Sequence, residues 1–579
     1  MGSDPDPHFF QYFPRTHPSK VESAPDFIGM GCSAEDLLKR HERLLSERAV
    51  WEAHWREVAE RVLPRSDFFV GRRTPGEKHT ELLFDATACL SLERFTAAME
   101  SMLIPRPQRW HGLRVRDEAL QENVEVKKWL DEVADILFAE RYAPNANFAC
   151  QANDVFMSLG AFGTGALFIE SSAEGLRYRS IHLGEICIAE NHQGVVDTVF
   201  RKFQLTARQA VQRFGASALP DKIATDAEER PDTQHEFLHA VFPNPERAPG
   251  ALNHRGMAFA SHYIAVQGRK IVSEGGYRTF PYAVGRYTTG PKEVYGRSPA
   301  MTVLPEIKMV NEMSKTVLRA GQKALDPPLL LQEDGALSGF DLRPGALNFG
   351  GVNDQGNAVV LPLDLGSRVD IGDEMIERRQ KAINEAFLVT LTQVLVATPR
   401  MTAAEALLRA QEKAALLAPT MGRQQSEFLG PMVERELDLL SQMGELPPMP
   451  KALLDAGGIV DVEYTSPLNR AQRAEEGLAI LRTIESVTPL AQVDPGVMLL
   501  FNAEAVAREL CEINGVPAKL LRTSEQVAAL RKLGVVEADG LVSAGYVGAQ
   551  AVANLTEMQT IAAGVPAASG VKITAGGQP

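Results

Sequence analysis

Two long helical periodicities separated by a Gly- and Pro-punctuated insert constrain this chain more than any other feature. Over residues 299–325, Ile307, Val310, Val317 and Leu318 form an apolar row against Lys308, Lys315, Arg319 and Lys323, and Pro327 and Pro328 close the pattern. Residues 369–391 are helical again, with Glu374 and Arg378, and Glu377 and Lys381, spaced four apart so that each pair meets on one face. The intervening stretch 326–367 holds β-like pieces between glycines and prolines. Such rows can be covered by each other in a helical hairpin or by neighbouring copies of the chain, and the periodicity allows both.

The rest of the chain reads as α+β, predominantly helical. Leu37, Leu38, Leu44, Leu45, Trp51, Trp55, Val58 and Val62 set a helix from 33 to Pro64; further helices run over 86–103, ending at Pro105 and Pro107, and over 123–141. Between 165 and 287 the pattern changes to short β-rich runs at 166–170, 176–181, 195–203, 237–242, 259–266 and 282–287. A turn is expected at 191–194 and a helical interruption at 206–214. After a break at 392–400, the capping box Thr402–Glu405 starts a long helix to about Met443, which Pro419 and Pro431 should kink. A strand is expected at 459–464 and helices over 471–533. Residues 1–32 read as a flexible arm and 546–579 as an Ala/Gly-rich tail.

Composition narrows the classes. A chain of 579 residues with 45% hydrophobic and 23% charged residues is an ordinary folded protein of several regions. No apolar run is long enough to span a bilayer, and the acidic, Pro-containing N-terminus lacks the pattern of a signal peptide, so a cytoplasmic location is expected. The net charge of −14 argues against a protein that coats nucleic acid, though not against one past which DNA slides. Five scattered cysteines, Cys32, Cys89, Cys150, Cys187 and Cys511, suggest buried thiols rather than disulfides or a zinc knuckle.

Chemical motifs are few. His235-Glu236-Phe237-Leu238-His239 matches His-Glu-x-x-His, which chelates zinc only on a helix. Here Ala240 to Pro243 continue it as a strand, on which residues four apart are roughly 13 Å from each other. A zinc hydrolase on His235 and His239 is therefore the weaker alternative, and no metal or cofactor is expected. Gly160, Gly163 and Gly165 lack the Lys-Ser/Thr of a phosphate loop and suit tight packing instead. Arg368, Arg378, Arg379 and Lys381 interleave with Asp370, Asp373, Glu374 and Glu377 as a salt-bridged face. Trp110 and Trp129 read as core rather than base-stacking platforms.

The order of several strings resembles the head-to-tail connector (portal) family of short-tailed bacteriophages. They are Trp51 and Trp55 before Leu63-Pro64-Arg65, Phe84 to Thr87, Leu103-Ile104-Pro105 before Trp110, and Tyr295 to Pro299. Met401 to Glu405, Gly422 to Pro431 and Tyr464 to Leu468 continue the series, so the resemblance covers about 34–533. It implies a non-enzymatic ring of about twelve copies at one capsid vertex, assembled in the host cytoplasm and carried in the virion, through which double-stranded DNA is packaged, retained and ejected. The implied partners are the major capsid protein, a scaffolding protein, the terminase large subunit and a tail adaptor, with no membrane. The implied regions are a wing (33–298), stem helices (299–325 and 368–391), a small β-rich clip (326–367), a tunnel loop (392–400), a kinked wing helix and strand (401–470) and a helical crown (471–545). The tunnel loop would bring Thr392, Gln393, Val394, Leu395, Val396, Ala397, Thr398, Pro399 and Arg400 to the channel, and Lys308, Lys315, Arg319 and Lys323 could face DNA from the stem.

Overall fold

The computed structural model describes residues 33–66, 83–121, 123–325, 369–389 and 419–464 with a few gaps, short pieces between 328 and 362, parts of 477–513 and isolated positions elsewhere. The chain divides into two units, Met1–Ile513 and Asn514–Pro579, and every element named below belongs to the first. The expected N-terminal arm, tunnel loop, capping box at 402–405 and C-terminal tail lie outside the described residues, as do Arg368 and most of the clip and crown.

Helix α1 (Ala34–Val62) starts where the Ser33 side chain accepts the Asp36 amide at 3.3 Å and stops before Pro64. Then follow α2 (Thr87–Leu103), β1 (His111–Arg114), α3 (Val124–Arg141), capped by Asn123, and α4 (Phe148–Phe162). The pattern reading had no helix at α4, which buries residues around most of its circumference and so carries no amphipathic stripe. Strands β2 (Thr164–Ser172), β3 (Gly175–Ile181), β4 (Ile186–Glu190) and β5 (Val196–Thr206) lead into α5 (Ala207–Phe214) and α6 (Asp221–Glu229). Strands β6 (Gln234–Pro243), β7 (Phe259–Ala265), β8 (Lys270–Tyr277) and β9 (Tyr282–Arg286) follow.

All pairings are antiparallel. A three-stranded sheet has the order β3-β2-β9, and a five-stranded sheet runs β4-β5-β6-β7-β8. Strand alternation divides the larger sheet: Phe200, Leu238 and Phe242 meet Leu37 and Leu38 of α1, while Phe203 and Phe237 meet Ala210 and Ile223 under α5 and α6.

After a single turn at Pro299–Thr302, α7 (Leu304–Leu325) runs out towards the short pair β10 (Leu329–Leu331) and β11 (Val360–Pro362). Helix α8 (Val369–Ala386) returns beside it, ending short of the expected 391 because Leu388 turns left-handed at φ 60°. The expected single helix from Pro299 is likewise interrupted at Val303.

The kink expected at Pro431 takes a specific form. A π-helical turn, Gln425–Leu429, precedes α9 (Gly430–Met443), because Pro431 has no N–H to continue the ladder. The Gln425 carbonyl accepts from Tyr464 Oη at 3.0 Å, at the end of β12 (Asp461–Tyr464), which pairs with β1. Residues nearly 400 positions apart thus share one core: Trp55, Trp110, Phe156, Phe162, Phe428, Leu440 and Leu453 all belong to it. Within that core Arg141 binds Glu436 through Nε at 3.0 Å and lies 4.6 Å above Trp110, while Tyr178 donates to the same carboxylate at 2.7 Å. Truncating either charge would strand the other in the interior. Further described helices are the short Glu118–Gln121 and Lys451–Asp455, and α10 (Ala503–Ile513).

The expectation of buried thiols holds for Cys187 but fails for Cys150, which is exposed on α4; Cys89 and Cys511 are half-buried. Cys150 falls on the one side of α4 that nothing covers.

Candidate functional site

The candidate site is the helix pair α7–α8, and its geometry follows from where each helix is anchored. Leu304, Ile307, Val310 and Asn311 of α7 are buried, and no residue of that helix beyond Asn311 is. On the returning helix, among the described residues, burial falls at its C-terminal end, at Ile383, and just beyond it at Phe387 and Val389. The helices are antiparallel, since Arg379 pairs with Glu306 near the base while a Cβ on Gly372 would stand 2.7 Å from Val317 farther out. Fourteen residues of α7 therefore extend past its last buried position, a rise of about 20 Å.

Two of the family-like strings build the socket. In Phe84 to Thr87, the Phe84 and Asp85 amides donate to Asn311 Oδ1 at 2.7 and 3.3 Å, Asp85 Oδ1 caps the Thr87 amide at 2.9 Å, and Asp85 Oδ2 accepts from Gln380 of α8 at 2.8 Å. Four residues thus tie both helices to the start of α2, and Ser91 of α2 adds a bond to Asn384 at 2.9 Å. In Tyr295 to Pro299, the Tyr295 ring stands 5.1 Å from Trp55, the Gly296 amide donates to Thr164 Oγ1 at 2.8 Å, and Ser298 caps the turn leading into α7. Gly163, at φ +79°, and Gly296 meet backbone to backbone, so a Cβ on either would overlap the other's carbonyl. Gly160 and Gly165 are equally confined, by Phe95 and Val155, which is the packing role expected of these glycines.

Asn311 was not singled out in the pattern, although it interrupts the row Ile307, Val310, Val317 with a polar group. A buried amide there requires a partner, and that was the available signal.

The four expected stem cations occupy different settings. Lys308 forms an ion pair with Glu57 of α1, which holds that carboxyl below its ordinary pKa. Lys315 lies 3.5 Å from Glu312 and 5.5 Å above the Phe84 ring. Arg319 and Lys323 are exposed on the projecting half. On α8, Arg378 pairs with Glu374 at 2.6 Å and Lys381 with Glu377 at 3.0 Å, as the salt-bridged reading expects. The apolar side of the projection remains uncovered in the single subunit: Met309 is 42%, Leu318 55% and Met375 46% exposed. Pro305, Met309, Met313, Val317 and Gly372 line an open groove there. Residues 392–400, the other expected site, lie outside the described residues.

The alternative zinc site dissolves in its surroundings. His235 and His239 both lie on β6. His239 is bonded at Nδ1 to Tyr282 Oη (2.8 Å) and at Nε2 to Ser261 Oγ (3.0 Å), while His235 contacts Gln267 and Asp226. Among the described residues no group of His, Cys, Asp and Glu is arranged to hold a metal ion. Trp110 and Trp129 are core residues, Trp129 donating to the Pro447 carbonyl at 3.0 Å. No helix among the described residues is long and apolar enough to cross a membrane.

Comparison with known proteins adds an independent line. Residues 34–521 match the family described as "Bacteriophage head to tail connecting protein". The "Probable portal protein" of Bordetella phage BPP-1 is 29% identical over 514 residues, covering 86% of this chain and 90% of its own. The "Portal protein" of Salmonella phage epsilon15 is 26% identical over 537 residues, covering 91% and 96% respectively. Solved structures titled "Neck of empty GTA particle computed with C6 symmetry" and "Virion of native gene transfer agent (GTA) particle" contain similar chains. The first covers 71% of this chain and 91% of its own at 11% identity, and the second 74% and 94% at 12%, each with a TM-score of 0.34.

Proposed function

We propose, from the fact that this chain belongs to the bacteriophage head to tail connecting protein family, that it is the portal of a tailed phage: a ring at one capsid vertex through which DNA enters, is held and leaves. The observation that carries this reading is the extent of the family match, from the first residue of α1 into the region beyond α10. The projecting helix pair supports it, because a face bearing Met309, Leu318 and Met375 suits burial against neighbouring copies better than exposure to water.

In this reading the body formed by 33–298 with 401–470 is the wing, α7 and α8 are the stem, the β10–β11 region is the clip, 392–400 is the tunnel loop and 471–545 is the crown. About twelve subunits close the ring. The capsid and scaffolding proteins surround it during assembly, and the terminase and later a tail adaptor dock to it. The protein does no bond chemistry of its own; the energy for packaging comes from the terminase. It resides in the virion and assembles in the host cytoplasm.

The tunnel loop supplies the functional test. Val394, Leu395, Val396 and Ala397 are apolar, and Arg400 offers one phosphate contact. Apolar tips can grip DNA by contact without the strong phosphate binding that would arrest movement. Leu395→Asp and Val396→Asp are expected to leave ring assembly intact and to reduce the DNA retained by filled particles, measured as genome content per particle. Normal retention in assembled particles overturns the gating role; an unfolded subunit shows instead that these residues are core.

A further inference from the structure

The packed seam between the two sheets carries a charge arrangement that the helix pair does not use. Arg201 on β5 stands opposite His239 on β6, and His239 opposite Tyr263 on β7, so the three form one row on one face of the five-stranded sheet. Phe168 of β2 packs on that row, its ring 5.9 Å from His239, and Arg179 of β3 is the cross-strand neighbour of Phe168. Arg213 arrives from α5, donating to Tyr263 Oη at 2.9 Å and lying 4.0 Å from Glu170. Three guanidinium groups from three elements therefore gather around this row.

Their compensation is incomplete. The neighbouring carboxylates are Glu185, 2.9 Å from Arg201 Nε, and Glu170, so three cations against two anions leave one positive charge. Arg201 is 4% exposed, and its Nη2 is buried without a hydrogen bond of normal geometry, although the Tyr282 hydroxyl stands beside it. Arg179, on the exposed rim, has no carboxylate within ion-pair distance among the described residues. Burial, and next the field of Arg201, lowers its pKa, which places the two guanidinium groups within each other's reach. Like charges packed this closely, one of them a buried guanidinium whose Nη2 is held in poor hydrogen-bond geometry, form an environment that an anion relieves.

We propose that Arg179, Arg201 and Arg213 form an oxyanion site that takes a phosphate-type group at the exposed edge of this row. Donors converging from three directions match a tetrahedral oxyanion with several acceptor oxygens better than a planar carboxylate, which one guanidinium fork satisfies alone. The site is independent of the portal reading, and either can fail without the other.

The test is calorimetric titration of the purified full chain with inorganic phosphate at constant ionic strength, with acetate and chloride as comparison anions. Saturable phosphate binding is expected, weakened at least about tenfold in Arg179→Gln and in Arg213→Gln, with acetate binding weaker than phosphate. Arg179 is exposed, so the unliganded melting of Arg179→Gln should be unchanged, whereas Arg213→Gln also loses the bond to Tyr263 and is expected to melt lower; Arg179→Lys, which keeps the charge, should retain part of the affinity and guards against a folding artefact. Absence of binding, equal binding by the variants, or acetate matching phosphate would each overturn the proposal.

Discussion

Close backbone contact makes Gly296 and Gly163 the least replaceable small residues of the socket. A Cβ on Gly296 would overlap the Gly163 carbonyl oxygen, whereas one on Gly321, in the projecting half of α7, would meet nothing within 4 Å. Gly296→Ala is therefore expected to lower stability by about 1–3 kcal/mol, the usual cost of forcing atoms into a filled space. Gly321→Ala should raise it by roughly 0.5–1 kcal/mol through helix propensity. Denaturant midpoints showing the same sign for both would contradict the packing described. Acid titration is a second residue-scale test. His41, His111, His239 and His262 all have pKa values lowered by burial, His41 to about 4. The unfolded chain takes up these protons near pH 6.5 and the folded chain does not, so their contribution is whole above that pH and is lost as pH falls, for His41 between about 6.5 and 4. Its share is on the order of 3 kcal/mol. Glu434 acts in the opposite sense: burial beside Asp438 pushes its carboxyl up to about 7, so its protonation favours the fold as pH falls. Burial also lowers the pKa of His54 and raises those of the Asp154 and Asp197 carboxyls, so five histidines stand against three carboxyls. Stability should therefore fall below pH 6.5, and His41→Gln should flatten that fall; an unchanged slope would refute the assignment.

At the scale of elements, the attachment of the helix pair depends on a few polar bonds set in an apolar socket. Asn311→Ala removes the acceptor of the Phe84 and Asp85 amides, at a cost of about 1–3 kcal/mol, and hydrogen exchange at those two amides should quicken before the rest of α2 loosens. Unaltered protection at both would show that the clasp is incidental. The same elements indicate what a sequence can disclose. Strands β2, β3, β5, β6, β7 and β9 were legible because one face of each is apolar and the turns between them are marked. The helix α4 was not legible, because it is enclosed on nearly all sides, and β1 was not, because its partner β12 lies almost 350 residues later. The π-turn follows from Pro431 only in outline: proline foretells a broken ladder, while the Tyr464 hydroxyl that donates to the Gln425 carbonyl, which also accepts from the Gly430 amide, belongs to tertiary structure. The socket strings Phe84 to Thr87 and Tyr295 to Pro299 could be recognised but not explained, since their roles are bonds to residues more than 100 positions away. Cys150 failed as an expected buried thiol for the same reason: composition does not say which side of an enclosed helix is left open.

At the scale of the molecule, the subunit is complete around its core and incomplete along the projection. In the proposed ring of about twelve copies, a charge of −14 per subunit would sum to roughly −170, which would oppose tight non-specific DNA binding and suit a channel through which DNA slides. Assembly must therefore draw on apolar contact, and the face bearing Met309, Leu318 and Met375 is where the described residues offer it. The central claim is that this chain closes into a ring, and the direct measurement is the native mass of the purified protein at micromolar concentration and ordinary salt. A discrete particle of about twelve times the 63.2 kDa subunit mass is expected. A stable monomer under those conditions, unchanged when scaffolding protein or procapsids are added, would contradict it.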